Sequence, residues 1–232
     1  MKIVEFNTVE ELNEAGLNVL RKQIETKKDS LLCLATGSSS TGIYQKLAGK
    51  TDDIDSSQLK VIKLDEWAGM PMAHPASCEY YLRENVLTPL QISEERYIGF
   101  DSQAADGPAE CKRIADFLQS NGPIDVCFLG LGLNGHVAFN EPAETLDPAV
   151  RLSKLSNESL NHSSLVDVPV TLSHGYTLGL ADILRSKTII LVVHGASKKE
   201  IMERLRIAEI STNLPASFLY LHNNAYCYYC EK

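Results

Sequence analysis

Ile124-Asp-Val-Cys-Phe-Leu-Gly-Leu-Gly-Leu-Asn-Gly-His-Val-Ala-Phe-Asn-Glu-Pro142 is the stretch on which the fold of this chain turns. Its first part, Ile124 to Leu129, is an apolar run of strand length and reads as a buried strand. From Leu129 to Pro142 the chain holds three glycines, one histidine, one carboxylate and two amides, and Pro142 keeps the segment from becoming a regular helix. Loops that leave the carboxyl end of a buried strand in an α/β sheet are where ligands bind. His136 stands five residues before Glu141, which suits proton transfer to a polar substrate.

Gly130, Gly132 and Gly135 also fit G-x-G-x-x-G, the spacing of a dinucleotide loop. The context does not support that use. No helix is expected after Gly135, no strand ending in an acid lies about 20 residues on, and the match falls near mid-chain instead of in the first βα turn. No nicotinamide cofactor is expected.

Outward from this segment the chain alternates strand and helix. Thr8-Val-Glu-Glu11 is a capping box for a helix to about Lys27, with Leu12, Leu17, Leu20 and Ile24 at helical spacing. Strands are expected over 30–35, 59–64, 124–129, 188–193, 216–221 and 225–229. Helices are expected after Gly42 through Leu47, over 79–86 and 108–120, at about 175–184, and over 197–206. A less regular polar stretch, 142–174, is expected to hold a lid. The pattern is that of one α/β domain over 1–232, a mostly parallel sheet covered on both faces.

The 232 residues are 44% hydrophobic and carry a net charge of −8 with no basic tract, which argues against nucleic acid and acidic membranes as partners. No stretch approaches the roughly 20 apolar residues of a membrane span, and the N-terminus lacks a secretory apolar core. Six cysteines, two of them inside apolar strand-like runs, fit a cytoplasmic protein with reduced thiols. Cys227-Tyr-Tyr-Cys230 is formally C-x-x-C but has no second pair, and zinc is not expected.

Four polar segments follow strands and should meet on one edge of the sheet. Thr36-Gly-Ser-Ser-Ser-Thr41 offers hydroxyls, a glycine and a helix N-terminus to an anion; a plain N-cap turn is the alternative. Asp65 and Glu66 are adjacent carboxylates, of which at most one faces the site if the chain stays extended. His136 and Glu141 form an acid–base pair, with no third ligand at metal spacing. Gly195-Ala-Ser-Lys-Lys199 puts lysines in a helix's first turn, which is unfavourable unless an anion is bound nearby or the lysines are simply solvated.

Ala35-Thr-Gly-Ser38, Leu64-Asp-Glu-Trp67 and Gly132-Leu-Asn-Gly-His-Val-Ala-Phe-Asn-Glu-Pro142 occur together in this order, followed by Thr177-Leu-Gly-Leu180, Gly195-Ala-Ser-Lys198 and Pro215-Ala-Ser217. This set resembles the amino-sugar 6-phosphate deaminase/isomerase family, relatives of glucosamine-6-phosphate deaminase, over nearly the whole chain. The resemblance implies a modified Rossmann-like three-layer α/β/α sandwich and a cofactor-free, metal-free isomerase that releases ammonia. It implies Asp65 as the base that moves a proton between C2 and C1, His136 as the ring-opening group and Glu141 as its charge partner. Thr36, Gly37, Ser38, Ser39 and Lys198 match phosphate-binding positions, and Glu66, Gly132 and Gly135 are further expected substrate contacts.

Two departures stand out. Asn134 replaces an aspartate that assists ring opening in some members, and residues 157–165 lack an arginine that long members place on the phosphate. His174 is a candidate to share that task with Lys198, while His194 and His222 read as structural. The segments 32–37, 63–67 and 215–222 look more like the galactosamine-6-phosphate branch than the glucosamine one, so galactosamine 6-phosphate is the favoured substrate. The expected state is a monomer or small homo-oligomer. A 6-phosphogluconolactonase and a sugar-phosphate-sensing module are the rival readings.

Overall fold

The Thr8 hydroxyl accepts the Glu11 N–H and the Glu11 carboxylate reaches back to the Asn7 N–H, so the first helix starts where the capping box places it. The computed structural model describes residues 1–50 and 53–232. Its strands are β1 (Lys2–Glu5), β2 (Leu31–Leu34), β3 (Lys60–Lys63), β4 (Asp65–Trp67), β5 (Tyr97–Ile98), β6 (Val126–Gly130), β7 (Arg151–Lys154), β8 (His174–Thr177), β9 (Thr188–His194) and β10 (Ala225–Cys230). Its α-helices are α1 (Val9–Thr26), α2 (Ser38–Ala48), α3 (Cys78–Leu82), α4 (Gly107–Asn121), α5 (Asn157–Leu160), α6 (Leu180–Leu184) and α7 (Lys199–Arg206).

Seven strands form a parallel sheet in the order β1-β10-β9-β6-β2-β3-β5. Alternation along the strands buries both faces. Leu31, Cys33, Cys127, Leu129, Ile189 and Leu191 look toward α4, α6 and α7, while Leu32, Leu34, Val126, Phe128, Ile190 and Val192 look toward α1, α2 and α3. This is the three-layer α/β/α sandwich. The same alternation sends Cys227 to one face and Cys230 to the other, so the C-x-x-C residues do not form a pair. All six cysteines are buried and unbonded. Among the described residues no helix is long and apolar enough to cross a membrane.

Several expectations are corrected. Residues 216–221 are not a strand but lie in a 3₁₀ helix, Pro215–Leu221, because proline is pre-set for a first helical position. The region from 175 to 184 is not one helix: it divides into β8 and α6, and Gly179 with the Asp182 carboxylate on its N–H starts the helix late. Within 142–174, β7 pairs antiparallel with β8, and β8 with β4, in a second sheet of order β4-β8-β7. α2 begins at Ser38, not after Gly42, so the serines form its first turn.

The chain runs outward from β2 through β3 to β5, then returns to lay β6 against the other side of β2. β2 and β6 therefore flank the topological switch point, where a crevice opens at the carboxyl ends of the strands. Asp125 ties this junction from below. Its buried carboxylate accepts the Leu31 N–H at 2.9 Å, Lys27 Nζ at 2.6 Å and Lys187 Nζ at 2.8 Å. Asp125→Asn should lower stability by about 1–3 kcal/mol, read as a lower urea midpoint with unchanged slope. An unchanged midpoint would show that the junction does not depend on this carboxylate.

Candidate active site

Gly37 has φ of 117°, a left-handed conformation that only glycine adopts without strain, and a Cβ there would meet nothing. The Gly37 carbonyl accepts hydrogen bonds from the hydroxyls of Thr41 (3.1 Å) and Tyr81 (3.0 Å). Residues 36 and 37 thus hold a fixed turn ahead of α2, and Ser38 and Ser39 open the helix, whose first N–H groups have no partner within it. Thr36 Oγ1 donates to Cys78 Sγ at 3.2 Å, and the Cys78 thiol donates to Asp65 Oδ1 at 3.8 Å. The turn and the carboxylate are therefore joined through one buried sulfur.

Asp65 and Glu66 lie on β4 and point opposite ways. Glu66 is fully buried, and its oxygens accept the N–H groups of Trp67, Cys78 and Glu79 and the ammonium of Lys63. It caps α3 and faces away from the crevice, which corrects the expectation that it touches substrate. Asp65 is the carboxylate that keeps access. Burial pushes its carboxyl up to about 7, reinforced by Glu66 and opposed by His136 and Lys63.

His136 Nδ1 lies 3.2 Å from Glu141 Oε2, off the line of a well-formed hydrogen bond. Asn134 Nδ2 donates to the same oxygen at 3.0 Å, and Asn134 Oδ1 accepts the His136 N–H at 3.0 Å. Glu141 Oε1 accepts the Ser156 N–H and the Ser159 hydroxyl. Burial would raise the Glu141 carboxyl, but His136, Ser159 and Asn134 override it and hold it at about 2. Gly132 and Gly135, expected as substrate contacts, are glycines here because this geometry leaves no room for a side chain. A Cβ at Gly132 would strike the His136 ring, and one at Gly135 would strike Leu214.

Lys198 is half-buried and donates to the Leu131 carbonyl. Burial lowers its ammonium and no carboxylate offsets that. His162 follows α5, which Ser156 and Ser159 tie to Glu141. Its imidazole is lowered by burial and by the nearby charges of Lys198 and His136. Its Nδ1 accepts the Ser164 N–H, which leaves Nε2 to donate elsewhere. His174 is exposed at the end of β8 away from the Asp65–Thr177 pair, with Nδ1 against the Ser173 hydroxyl. His162, not His174, is thus the histidine near enough to Lys198 to feel its charge. His222 is structural, as expected: Nδ1 accepts the Asn224 N–H and Nε2 lies 2.7 Å from the Ser186 carbonyl.

Sequence reasoning missed Cys78, Ser156, Ser159 and His162. Ser156 could have been found, since it caps α5 as a serine three residues before a serine whose N–H it accepts. Cys78 leaves no local signal. Among the described residues no group of three His, Cys, Asp or Glu side chains is arranged to hold a metal ion.

The family of glucosamine-6-phosphate isomerases and 6-phosphogluconolactonases matches this chain over residues 5–227. The Escherichia coli (strain K12) protein named "Putative deaminase AgaI" is 38% identical over 93% of this chain and 86% of its own. Glucosamine-6-phosphate deaminase of Lysinibacillus sphaericus (strain C3-41) is 32% identical over 97% and 96%. The solved structure of a monomeric glucosamine-6-phosphate deaminase superposes with a TM-score of 0.94 at 30% identity, covering 99% of this chain and 97% of that one. A 6-phosphogluconolactonase from Shewanella baltica OS155 shares the fold, with a TM-score of 0.79 at 20% identity.

Glu141 is depressed in the folded state, so it adds stability above its unfolded value near 4.5 and loses it as pH falls toward about 2. Wild type should exceed Glu141→Gln by about 2–3 kcal/mol near neutrality. Urea unfolding should show about half of that margin gone by pH 3. A margin that does not change with pH would mean Glu141 is not held ionised by its neighbours.

Proposed function

This chain belongs to the family of glucosamine-6-phosphate isomerases and 6-phosphogluconolactonases, and from that premise we propose that it converts galactosamine 6-phosphate and water to tagatose 6-phosphate and ammonia. The observation that carries this reading is the pair of carboxyls with opposed environments around one histidine. Asp65 sits at about 7, where it can take and return a proton, and Glu141 sits at about 2, where it stays anionic.

In this mechanism His136, steadied by Glu141, moves the proton of the C1 hydroxyl to the ring oxygen as the C1–O5 bond breaks. Asp65 then removes the C2 proton while the substrate's ammonium passes a proton to O1, giving an enol with a neutral amine at C2, and Asp65 returns its proton to C1 as the amine becomes a protonated imine. The resulting imine at C2 takes up water and expels ammonia, leaving a ketone. The 6-phosphate would rest on the turn 36–39 and the first turn of α2, with Lys198 supplying charge and His162 a hydrogen bond from Nε2. The galacto preference is supported by the residues at 32–37, 63–67 and 215–222. Glucosamine 6-phosphate, the substrate named for several relatives, is the alternative. A monomeric state is supported by the similar monomeric structure.

Purified protein given the two amino-sugar phosphates in parallel, without metal or cofactor, should release ammonia faster from the galacto sugar. Release from neither would end the deaminase reading. Asp65→Asn should lower kcat by about 10²–10⁴-fold, and in the parent the acid limb of kcat/KM should rise through pH about 7 as Asp65 loses its proton. Normal turnover in that variant would remove Asp65 from the chemistry. Lys198→Met and His162→Gln should each raise KM by about 10–100-fold with less effect on kcat. An unchanged KM would place the phosphate elsewhere.

A further inference from the structure

Among the described residues Lys63 is the one lysine in the set of largest fully enclosed side chains. It ends β3, two residues before Asp65. Its ammonium lies 2.8 Å from Glu66 Oε2 and 2.8 Å from Glu79 Oε2. Tyr97 donates its hydroxyl to the same Glu79 oxygen at 2.6 Å, and Arg83 Nε donates to Glu79 Oε1 at 2.8 Å. A charge this deep is expensive unless it is paired and hydrogen-bonded. Here Lys63 stands between the two buried carboxylates, Glu66 and Glu79, and Arg83, which also binds the exposed Glu94, reaches Glu79 from the surface, so the buried carboxylates are paired without Asp65.

We propose that Lys63 is a positioning residue for Asp65: held between Glu66 and Glu79, it cancels the buried carboxylates around Asp65, so that Asp65 alone in the cluster is left to exchange a proton with a ligand. The inference rests on the reading of Asp65 as the proton-transfer group. The groups facing Asp65 come from every element around it: Cys33 from β2, Lys63 from β3, Glu66 from β4, Cys78 from α3 and His136 from the loop after β6. The two thiols are raised by burial and stay neutral, so the other ionisable groups that act on Asp65 are Lys63, Glu66 and His136. Without Lys63, Glu66 and Asp65 would be two neighbouring buried carboxyls competing for one proton, and the base would no longer be a single defined group. The position also matters. Glu66 is bound to the first N–H groups of α3, which fixes β4 and with it the direction of Asp65.

The test changes the charge balance in both directions and reads Asp65 directly. Glu79→Gln removes one negative charge from beside Lys63, and Lys63→Met with Glu79→Gln takes the lysine away as well without stranding Glu79 as a second unpaired buried carboxylate that could keep the variant from folding. The carboxyl carbon of Asp65 is followed by ¹³C NMR against pH, assigned by its loss in Asp65→Asn, alongside the acid limb of kcat/KM. Glu79→Gln should move the Asp65 titration to lower pH by up to about one unit, and the double variant, which leaves Glu66 beside Asp65 without its cation, should move it back up to or above the parent position. A titration that stays in place in Glu79→Gln, or that stays low in the double variant, overturns the proposal. The NMR titration needs no substrate. If it moves as expected while no amino sugar is turned over, the charge balance stands and the deaminase reading falls.

Discussion

The side-by-side pairing of β2 with β6 is the constraint on which the rest of this molecule depends. The two strands are joined in register at Leu32–Val126 and Cys33–Cys127, and Asp125 fastens their lower ends by accepting the Leu31 N–H. The strands come from distant parts of the chain, and each leaves the sheet with its own loop. Because the connections run to opposite sides, the two loops part above the pair and leave a crevice between them. The turn 36–39 forms one wall and the His136–Glu141 loop the other. Both are short enough that the strand ends dictate where their polar groups fall.

The third wall comes from a device the parallel sheet alone would not supply. After β3 the chain leaves the main sheet at Leu64 and enters β4, which pairs with β8 instead of extending outward. Asp65 is opposite Thr177, and the Thr177 hydroxyl accepts the Phe139 N–H from the histidine loop. Asn140, buried in that loop, donates to the Leu178 carbonyl just beyond β8. The small sheet is thus stitched to the loop that carries His136, and it brings Asp65 to face it. β7 completes this sheet, and α5, which follows it, closes over Glu141 through Ser156 and Ser159.

The core strands were legible in the sequence because Leu31–Leu34, Val126–Leu129 and Thr188–Val193 are uninterrupted apolar runs that only a doubly covered sheet can bury. Asp65, His136, Glu141 and Lys198 were legible as candidates because each lies in the polar segment that comes after a strand-like run. What escaped was short or depended on the small sheet. β7 and β8 are four-residue segments with charged or exposed ends and no long apolar signal. Cys78, Ser159 and His162 reach the site only because β4, β8 and β7 fold back over it, and no local pattern encodes that return. Pro215–Leu221 is apolar enough for a strand, and only the proline at its start indicates a helical turn. Glu66 was misplaced because adjacent residues on a strand alternate, and a sequence does not say which of two carboxylates looks inward.

Asn134 shows how the site manages charge. Its side chain spans the histidine loop, donating to Glu141 and accepting from the His136 backbone. An aspartate there would retain the acceptor but lose the donor. It would also set a second carboxylate against Glu141, and two carboxylates in contact cannot both stay ionised without raising one of them. With the neutral amide, Glu141 keeps its full charge at low pH and His136 has a single anion to lean on. On the other side of the crevice the opposite result is reached by the same means: the neighbours of Asp65 balance one another, burial raises it, and it holds a proton until near neutrality. One carboxylate is made permanent and the other exchangeable, and the difference lies in which hydrogen-bond donors the fold delivers to each.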